Sequence, residues 1–311
     1  MSKQTWVKDF TGEEIVCTSL IVLERELRPF VSKEGEFLQL VLADKTGEID
    51  GICWNPELMS VDIVKGDVLE VKGTVRQHRE YGLQLIFNPA DVSKVQNYQL
   101  ADYLRSTDKD IGQLTHEIFQ TIEAIENRHL RTLLKAVFND ENFYSQFSKV
   151  PATLLYNQNY LGGLLEHTVN VVRICKTALR NYPGLDKELV LAGALLSNIG
   201  KTREYQISTV PDVTEEGGLV GHFILNDRIL NEKIDVIKDF PEELKLKLKH
   251  LVVARSKKSG MPPKFPEAVL LSRAMLLDAQ LNGFIIEHEE LSRAGEPWAF
   301  NKNKGYYFYT R

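Results

Sequence analysis

The hydrophobic period of this chain changes once, and that change constrains the fold more than any other feature. Between Glu14 and Val95 the apolar residues fall in short runs with period-2 character: Ile15–Leu23, Phe37–Ala43, Glu48–Trp54, Asp67–Arg76 and Gly82–Phe87. That is the spacing at which a strand buries one face. Asp44-Lys-Thr-Gly47 and Arg79-Glu-Tyr-Gly82 supply hairpin turns. Five such strands close most simply as a small barrel. Val68, Val71 and Val75 behind the Gly66-Asp67 turn favour the OB type, although the spacing leaves another small barrel open. From Ile111 the period becomes 3.6, with faces formed by Ile118, Ile122 and Ile125 and then by Leu133, Leu134 and Val137. The expected fold is therefore multidomain α and β. An N-terminal five-stranded OB-type β-barrel occupies residues 1–100, a polar linker 101–110, and an all-α domain 111–311.

Composition sets the class. With 43% hydrophobic and 26% charged residues in 311, the chain has enough apolar material for two cores. The start, Met1 to Phe10, lacks a signal-peptide core, and no uninterrupted apolar run reaches the roughly 18 residues of a bilayer span. A cytoplasmic protein with no membrane partner is expected. Cys17, Cys53 and Cys175 are odd in number and widely spaced, which fits small buried side chains rather than a disulfide framework or a zinc site. The net charge of −5 resides in residues 1–100, which hold 11 Lys/Arg against 16 Asp/Glu, leaving 27 of each elsewhere. Bulk electrostatics therefore do not favour nucleic acid on the barrel.

Stacking on local aromatics remains a route to binding a single strand. The barrel candidates are Phe37, Trp54, Arg76, His78, Arg79 and Tyr81, the last four grouped on one hairpin. The competing reading makes Phe37 and Trp54 core residues and the hairpin a solvated tip. Seven Lys/Arg and no acid lie between Lys245 and Lys264, among them Arg255, Lys257 and Lys258. They form either a track for a phosphate backbone or an ordinary solvated helix face. The aromatic tail from Trp298 to Arg311 is expected to dock, because several consecutive exposed rings invite aggregation.

In the helical half His167 shares a stripe with Val171, Ile174 and Ala178 and points inward. A second helix is expected to start at Asp186 as N-cap and to stop at Gly200 as C-cap, with Ser197 and Asn198 in its last turn. No phosphate-cradling glycine loop and no Ser-His-Asp or Cys-His arrangement stands out.

Several stretches carry a resemblance: Arg128-His-Leu-Arg-Thr-Leu-Leu134, Tyr160-Leu-Gly-Gly-Leu-Leu-Glu-His-Thr168, Leu191-Ala-Gly-Ala-Leu-Leu196 with Ile199-Gly-Lys201, Gly221-His222, Leu248-Lys-His-Leu251, and Pro266-Glu-Ala268 leading to Leu277-Asp-Ala279. Through them residues 14–311 resemble the YhaM-type 3′-5′ exoribonuclease family, which joins an OB domain to an HD-type metal-dependent phosphohydrolase domain. The resemblance implies single-stranded RNA on the barrel and a helical site with two divalent metals that trims RNA from the 3′ end.

The ligand set departs from that pattern. His167 and His222 stand at metal-ligand positions and Lys201 follows the place of the His-Asp pair. That pair reads Ser197-Asn198, two further His-His positions read Asn157-Gln158 and Arg255-Ser256, and the closing Asp reads Met275. Asp278 is kept, at a position the family does not use as a ligand. Hydroxyl and amide oxygens are weak, neutral donors to a divalent cation. The expectation is a vestigial site of His167, Ser197, Asn198, Lys201, His222, Arg255 and Met275, with no acidic ligand, no cofactor, and His167 and His222 as residual metal candidates. Arg255, Arg273 and Lys201 would make it a phosphate pocket. The expected function is that of a pseudoenzyme that binds RNA or single-stranded nucleic acid without metal-dependent cleavage. Two alternatives stay open: an active exoribonuclease with an atypical Mn²⁺ or Mg²⁺ set, and a scaffold for a protein partner. The oligomeric state is not legible.

Overall fold

The computed structural model describes residues 5–30, 34–78, 81–207, 209–254, 261–292, 297–301 and 304–311. The chain divides into two compact units, residues 1–106 with 207–210, and residues 107–206 with 211–311.

In the first unit β1 (Glu14–Pro29), β2 (Glu36–Asp44), β3 (Gly47–Cys53), β4 (Val68–His78) and β5 (Gly82–Lys94) close in the order β1-β2-β3-β5-β4. All neighbours are antiparallel except β3 and β5, which pair in parallel through Gly51 and Leu85. This five-stranded Greek-key barrel is the OB topology. Alternate residues fill it: Leu20, Val22, Leu38, Leu40, Leu42, Leu69, Val71, Val75, Leu85 and Phe87 are all buried. Each such side chain contributes about 1.5–3 kcal/mol by leaving water. The β2–β3 turn is held by Asp44, whose Oδ1 accepts the Thr46 amide at 2.7 Å while its Oδ2 accepts the Val7 amide at 2.9 Å. Several strands run longer than the apolar runs. β1 continues to Pro29, and β4 passes a bulge between Val71 and Gly73. At Gly73 a Cβ would lie 2.5 Å from the Ile86 carbonyl oxygen, so glycine is what allows the strands to close there.

The stretch expected as a linker is ordered. Tyr103 and Leu104 are buried, the Tyr103 hydroxyl donates to Ser19 Oγ at 2.8 Å, and Asp110 caps the first helix by accepting the Gln113 amide at 2.8 Å.

The second unit contains α1 (Ile111–Glu123), α2 (Arg128–Phe138), α3 (Glu141–Phe147), α4 (Gly163–Asn181), α5 (Lys187–Leu196), α6 (Lys201–Glu204), α7 (Glu215–Ile234), α8 (Glu242–Val253) and α9 (Pro266–Ser292). It is not all-helical. β6 (Tyr205–Ile207) pairs with β7 (Pro211–Val213), and β8 (Trp298–Asn301) with β9 (Tyr306–Tyr309).

α5 is buried over its whole apolar length and packs on α2, α4, α8 and α9. Asp186 caps it as expected, Oδ1 accepting the Leu189 amide at 2.9 Å. Gly200 does not end it as a left-handed cap. Its φ is −62°, and its bare Cα instead admits α7, since a Cβ would lie 2.3 Å from the His222 carbonyl oxygen. α7 is broken at Gly221, with φ 72° and ψ 161°, a backbone region essentially restricted to glycine.

α9 is long and apolar enough, by length and composition alone, to cross a bilayer. Charges at Glu267, Arg273 and Asp278 interrupt its sequence, which is why it does not register as an apolar run. Ala268, Leu271, Ala274 and Met275 bury one side of it within the bundle.

Candidate functional site

The helical unit holds a pocket of about 360 Å³ whose wall includes His167, Asn198, Lys201, His222, Arg273 and Met275. Four elements supply these groups: His167 from α4, Asn198 and Lys201 from the α5–α6 turn, His222 from the residue after the α7 break, and Arg273 and Met275 from α9. Ser197 sits behind the wall, buried, with its hydroxyl donating back to the Ala194 carbonyl at 3.0 Å. Arg255 lies outside the described residues, as do Lys257, Lys258 and Arg79.

Two carboxylates stand behind the pocket wall, each in contact with one of the histidines that line it. Buried Asp278 accepts from His167 Nδ1 at 2.6 Å and from Gln158 Nε2 at 2.7 Å, both at Oδ2. Gln158 is itself fully buried, with φ at 40°, and its backbone N–H donates to Asn282 Oδ1 at 2.6 Å. Asn157 Nδ2 donates to Gln158 Oε1 at 2.6 Å. The Asn157-Gln158 loop is thus tied to α9, and α4 begins tightly beneath it: a Cβ on Gly163 would lie 2.1 Å from the Gln158 carbonyl oxygen.

A second carboxylate, Glu204 at the end of α6, lies 3.2 Å from His222 Nδ1, accepts the His222 amide at 3.1 Å, and is 3.7 Å from Lys201 Nζ. Burial alone would raise the Glu204 carboxyl. The hydrogen bond and charge of His222, with the Lys201 ammonium, outweigh it and hold the group below its ordinary range. Lys201 is 7% exposed and also lies over the Tyr205 ring at 5.2 Å. Asn226, fully buried, fixes the turn that carries these groups by accepting the Gly200 amide and donating to the Ser197 carbonyl at 2.6 Å.

Of the residues the sequence singles out, His167, Asn198, Lys201, His222 and Met275 line one pocket, and Ser197 stands behind its wall. Sequence reasoning did not single out Glu204 or Asn226, named Gln158 only as a replaced ligand, and set Asp278 aside. The available signal was spacing: Asp278 and Asn282 are four residues apart on α9, hence on one face.

Among the described residues no group of three or more His, Cys, Asp or Glu side chains converges as a metal site. Among the described residues of the basic run, Lys245 pairs with Asp235, Lys247 with Glu243 and Lys249 with Asp227, at 2.7–3.0 Å.

On the barrel, Phe37 and Trp54 lie outside the core. They group with Phe30, which the sequence reading passed over, at centroid distances of 5.5 Å (Phe30–Phe37), 5.2 Å (Phe37–Trp54) and 6.1 Å (Phe30–Trp54). Trp54 is exposed. On the β4–β5 hairpin Arg76 and His78 are exposed, and exposed Tyr81 packs its ring 4.8 Å from His78. Phe30 and Phe37 flank the β1–β2 loop. In OB barrels generally, oligonucleotides bind on the face of the second and third strands, with the loops after the first and fourth strands.

No protein-family model matches the chain. Curated relatives do. It is 25% identical over 276 residues to "3'-5' exoribonuclease YhaM" of Bacillus subtilis, covering 87% of this chain and 86% of that one. With the protein of the same name from Shouchella clausii it is 28% identical over 268 residues, covering 84% and 83%. Among solved structures, the second OB-fold domain of replication protein A from Methanococcus maripaludis aligns at 26% identity with a TM-score of 0.25, covering 30% of this chain and 95% of that domain.

Proposed function

We propose that this chain, a relative of the YhaM-type 3′-5′ exoribonucleases, binds single-stranded RNA through its barrel and a phosphate-bearing RNA end in its helical pocket, without metal-dependent cleavage. The observation that carries this reading is the state of Asp278. Its Oδ2 is engaged by His167 and Gln158, while Ser197 and Asn198 offer only neutral oxygens. A divalent pair needs several anionic oxygens aimed at it, and the pocket wall instead carries Lys201 and Arg273. Ammonium and guanidinium groups bind phosphate directly through charge-assisted hydrogen bonds. On the barrel, the Phe30–Phe37–Trp54 group and the His78–Tyr81 pair supply stacking surfaces that tolerate any base.

A second reading, retained hydrolysis with Mn²⁺ or Mg²⁺, draws on the carboxylates of Asp278 and Glu204 beside the two histidines. The two separate in one experiment. Metal content is measured on the purified protein, and 3′-labelled and 5′-labelled RNA are incubated with it in Mn²⁺. Binding that weakens with salt, with both labels intact, is the expected result. Stepwise release of nucleotides from the 3′ end overturns the first reading in favour of the second. No RNA affinity at any salt concentration removes both and leaves the scaffold alternative.

A further inference from the structure

β1 carries a bulge between Val22 and Glu24, and that one extra residue decides what the end of the barrel offers. Val22 pairs with Leu42, Glu24 with Val41 and Arg25 with Leu40. In an unbroken register Glu24 would oppose Leu40. Directly paired residues share a face of the sheet, and Leu38, Leu40 and Leu42 all belong to the barrel core. The bulge therefore puts a guanidinium, and not a carboxylate, on the interior side of β1 where the strand runs on past that core.

There Arg25 lines a second cavity of about 360 Å³, whose other wall is the segment joining β3 to β4. The floor is apolar: Leu38 and Ile63 are buried in the core, and Met59 and Val61 pack against it. The polar groups are Arg25, Ser60 and Asp62. Glu26, the next acid along β1, pairs with Arg28 at 2.7 Å instead. Among the described residues the side chains of Arg25 and Asp62 have neither a hydrogen bond nor an ion pair, with each other or with any neighbour.

Opposite charges that share a cavity without pairing select a ligand whose donors and acceptors lie side by side. We propose that this cavity is a specificity pocket for one guanine base of a bound single strand. Guanine presents two acceptors, O6 and N7, to a guanidinium fork, the commonest specific contact to a base. Its N1–H and N2–H donors, contiguous with O6, suit the acceptor oxygens of Asp62. Adenine has an amino donor where guanine has O6 and a bare acceptor at N1, which would face the carboxylate; uracil and cytosine are single rings without N7. Bases of single-stranded RNA are open to reading on both of these edges. The location agrees. Leu38 pairs with Cys53, and Phe37 and Trp54, which lie outside the core, are their chain neighbours. A strand stacked on those rings passes the end of the barrel where the cavity lies. The proposal rests on the reading that the barrel binds single-stranded RNA, and it adds a base preference to that reading.

The test is fluorescence anisotropy of the full chain with oligouridine and with the same strand carrying one central guanosine. The guanosine strand should bind about 10-fold tighter. Arg25 and Asp62 are exposed, so Arg25→Ala and Asp62→Asn should leave the fold intact, and each should abolish the ratio between the two strands. Inosine lacks the N2 amino group, so the wild type should bind it more weakly than guanosine, whereas Asp62→Asn should no longer tell the two apart. No guanosine preference in the wild type, or a preference that survives both substitutions, overturns the pocket. If neither strand binds, the barrel reading falls separately, and the pocket is judged on guanosine itself, which has no phosphate for the helical cavity. Saturation-transfer NMR should then show guanosine bound in preference to adenosine by the wild type and not by Asp62→Asn; equal or absent signals overturn the pocket as well.

Discussion

Asp278 shows how a single carboxylate organises the pocket. It lies on α9, receives His167 from α4, and receives Gln158 from the loop that precedes α4. Two stretches of chain more than a hundred residues apart therefore meet on one oxygen atom. Each donor would be orphaned by Asp278→Ala, and an unsatisfied buried donor costs about 1–3 kcal/mol. We expect that substitution to lower the unfolding free energy by about 3 kcal/mol in urea titration. Asn preserves one acceptor, so Asp278→Asn should cost about half as much. An equal effect of the two substitutions would mean that packing, not hydrogen bonding, is what the residue supplies. The acid was hard to read from the chain because its partners lie 111 and 120 residues away. Local periodicity reports which face a residue is on. It does not report what will arrive there from another element.

At the level of elements, caps and periods were legible because they are local physics. Asp186 caps α5, and the barrel strands fall where alternation places them. The misses were tertiary. Gly200 resembles a helix stop in sequence but is required by the approach of α7, and the hairpin of β8 and β9 lies in a segment whose helical context had set the expectation. Asp140 joins both kinds of effect. Its Oδ1 caps α3 by accepting the Phe143 amide at 3.1 Å, and its Oδ2 meets Lys233 of α7 at 2.9 Å. The Lys233 hydrogen bond, and next the Phe143 amide, hold its carboxyl below the usual value. A group lowered on folding stabilises the fold fully above its unfolded pKa of about 3.9, and that contribution is lost as pH falls through the lower folded value. Asp140→Ala should therefore cost about 0.5–2 kcal/mol, the range for an N-cap. The penalty should be constant between about pH 7 and 5 and shrink below about pH 4. Thermal unfolding of both proteins across that range checks it, and a pH-independent penalty would contradict the assignment.

For the molecule as a whole, charge and stacking make separable predictions. The barrel half carries an excess of acid, so RNA affinity there should depend on rings more than on counterion release. Trp54→Ala should cost about 1–3 kcal/mol of affinity for a single-stranded oligonucleotide, the usual worth of one stacked base, with the slope of log K against log salt unchanged. Substituting Lys201 or Arg273 should instead reduce that slope by about 1. Fluorescence anisotropy at several salt concentrations distinguishes the two. The break in α7 carries its own consequence. A Cβ on Gly221 would meet nothing within 4 Å, so what the position refuses is not bulk but handedness. An L-alanine there would strain the backbone by about 1–3 kcal/mol, whereas a D-alanine introduced by chemical ligation has the mirror-image preference and should leave the bend, and His222 beyond it, undisturbed.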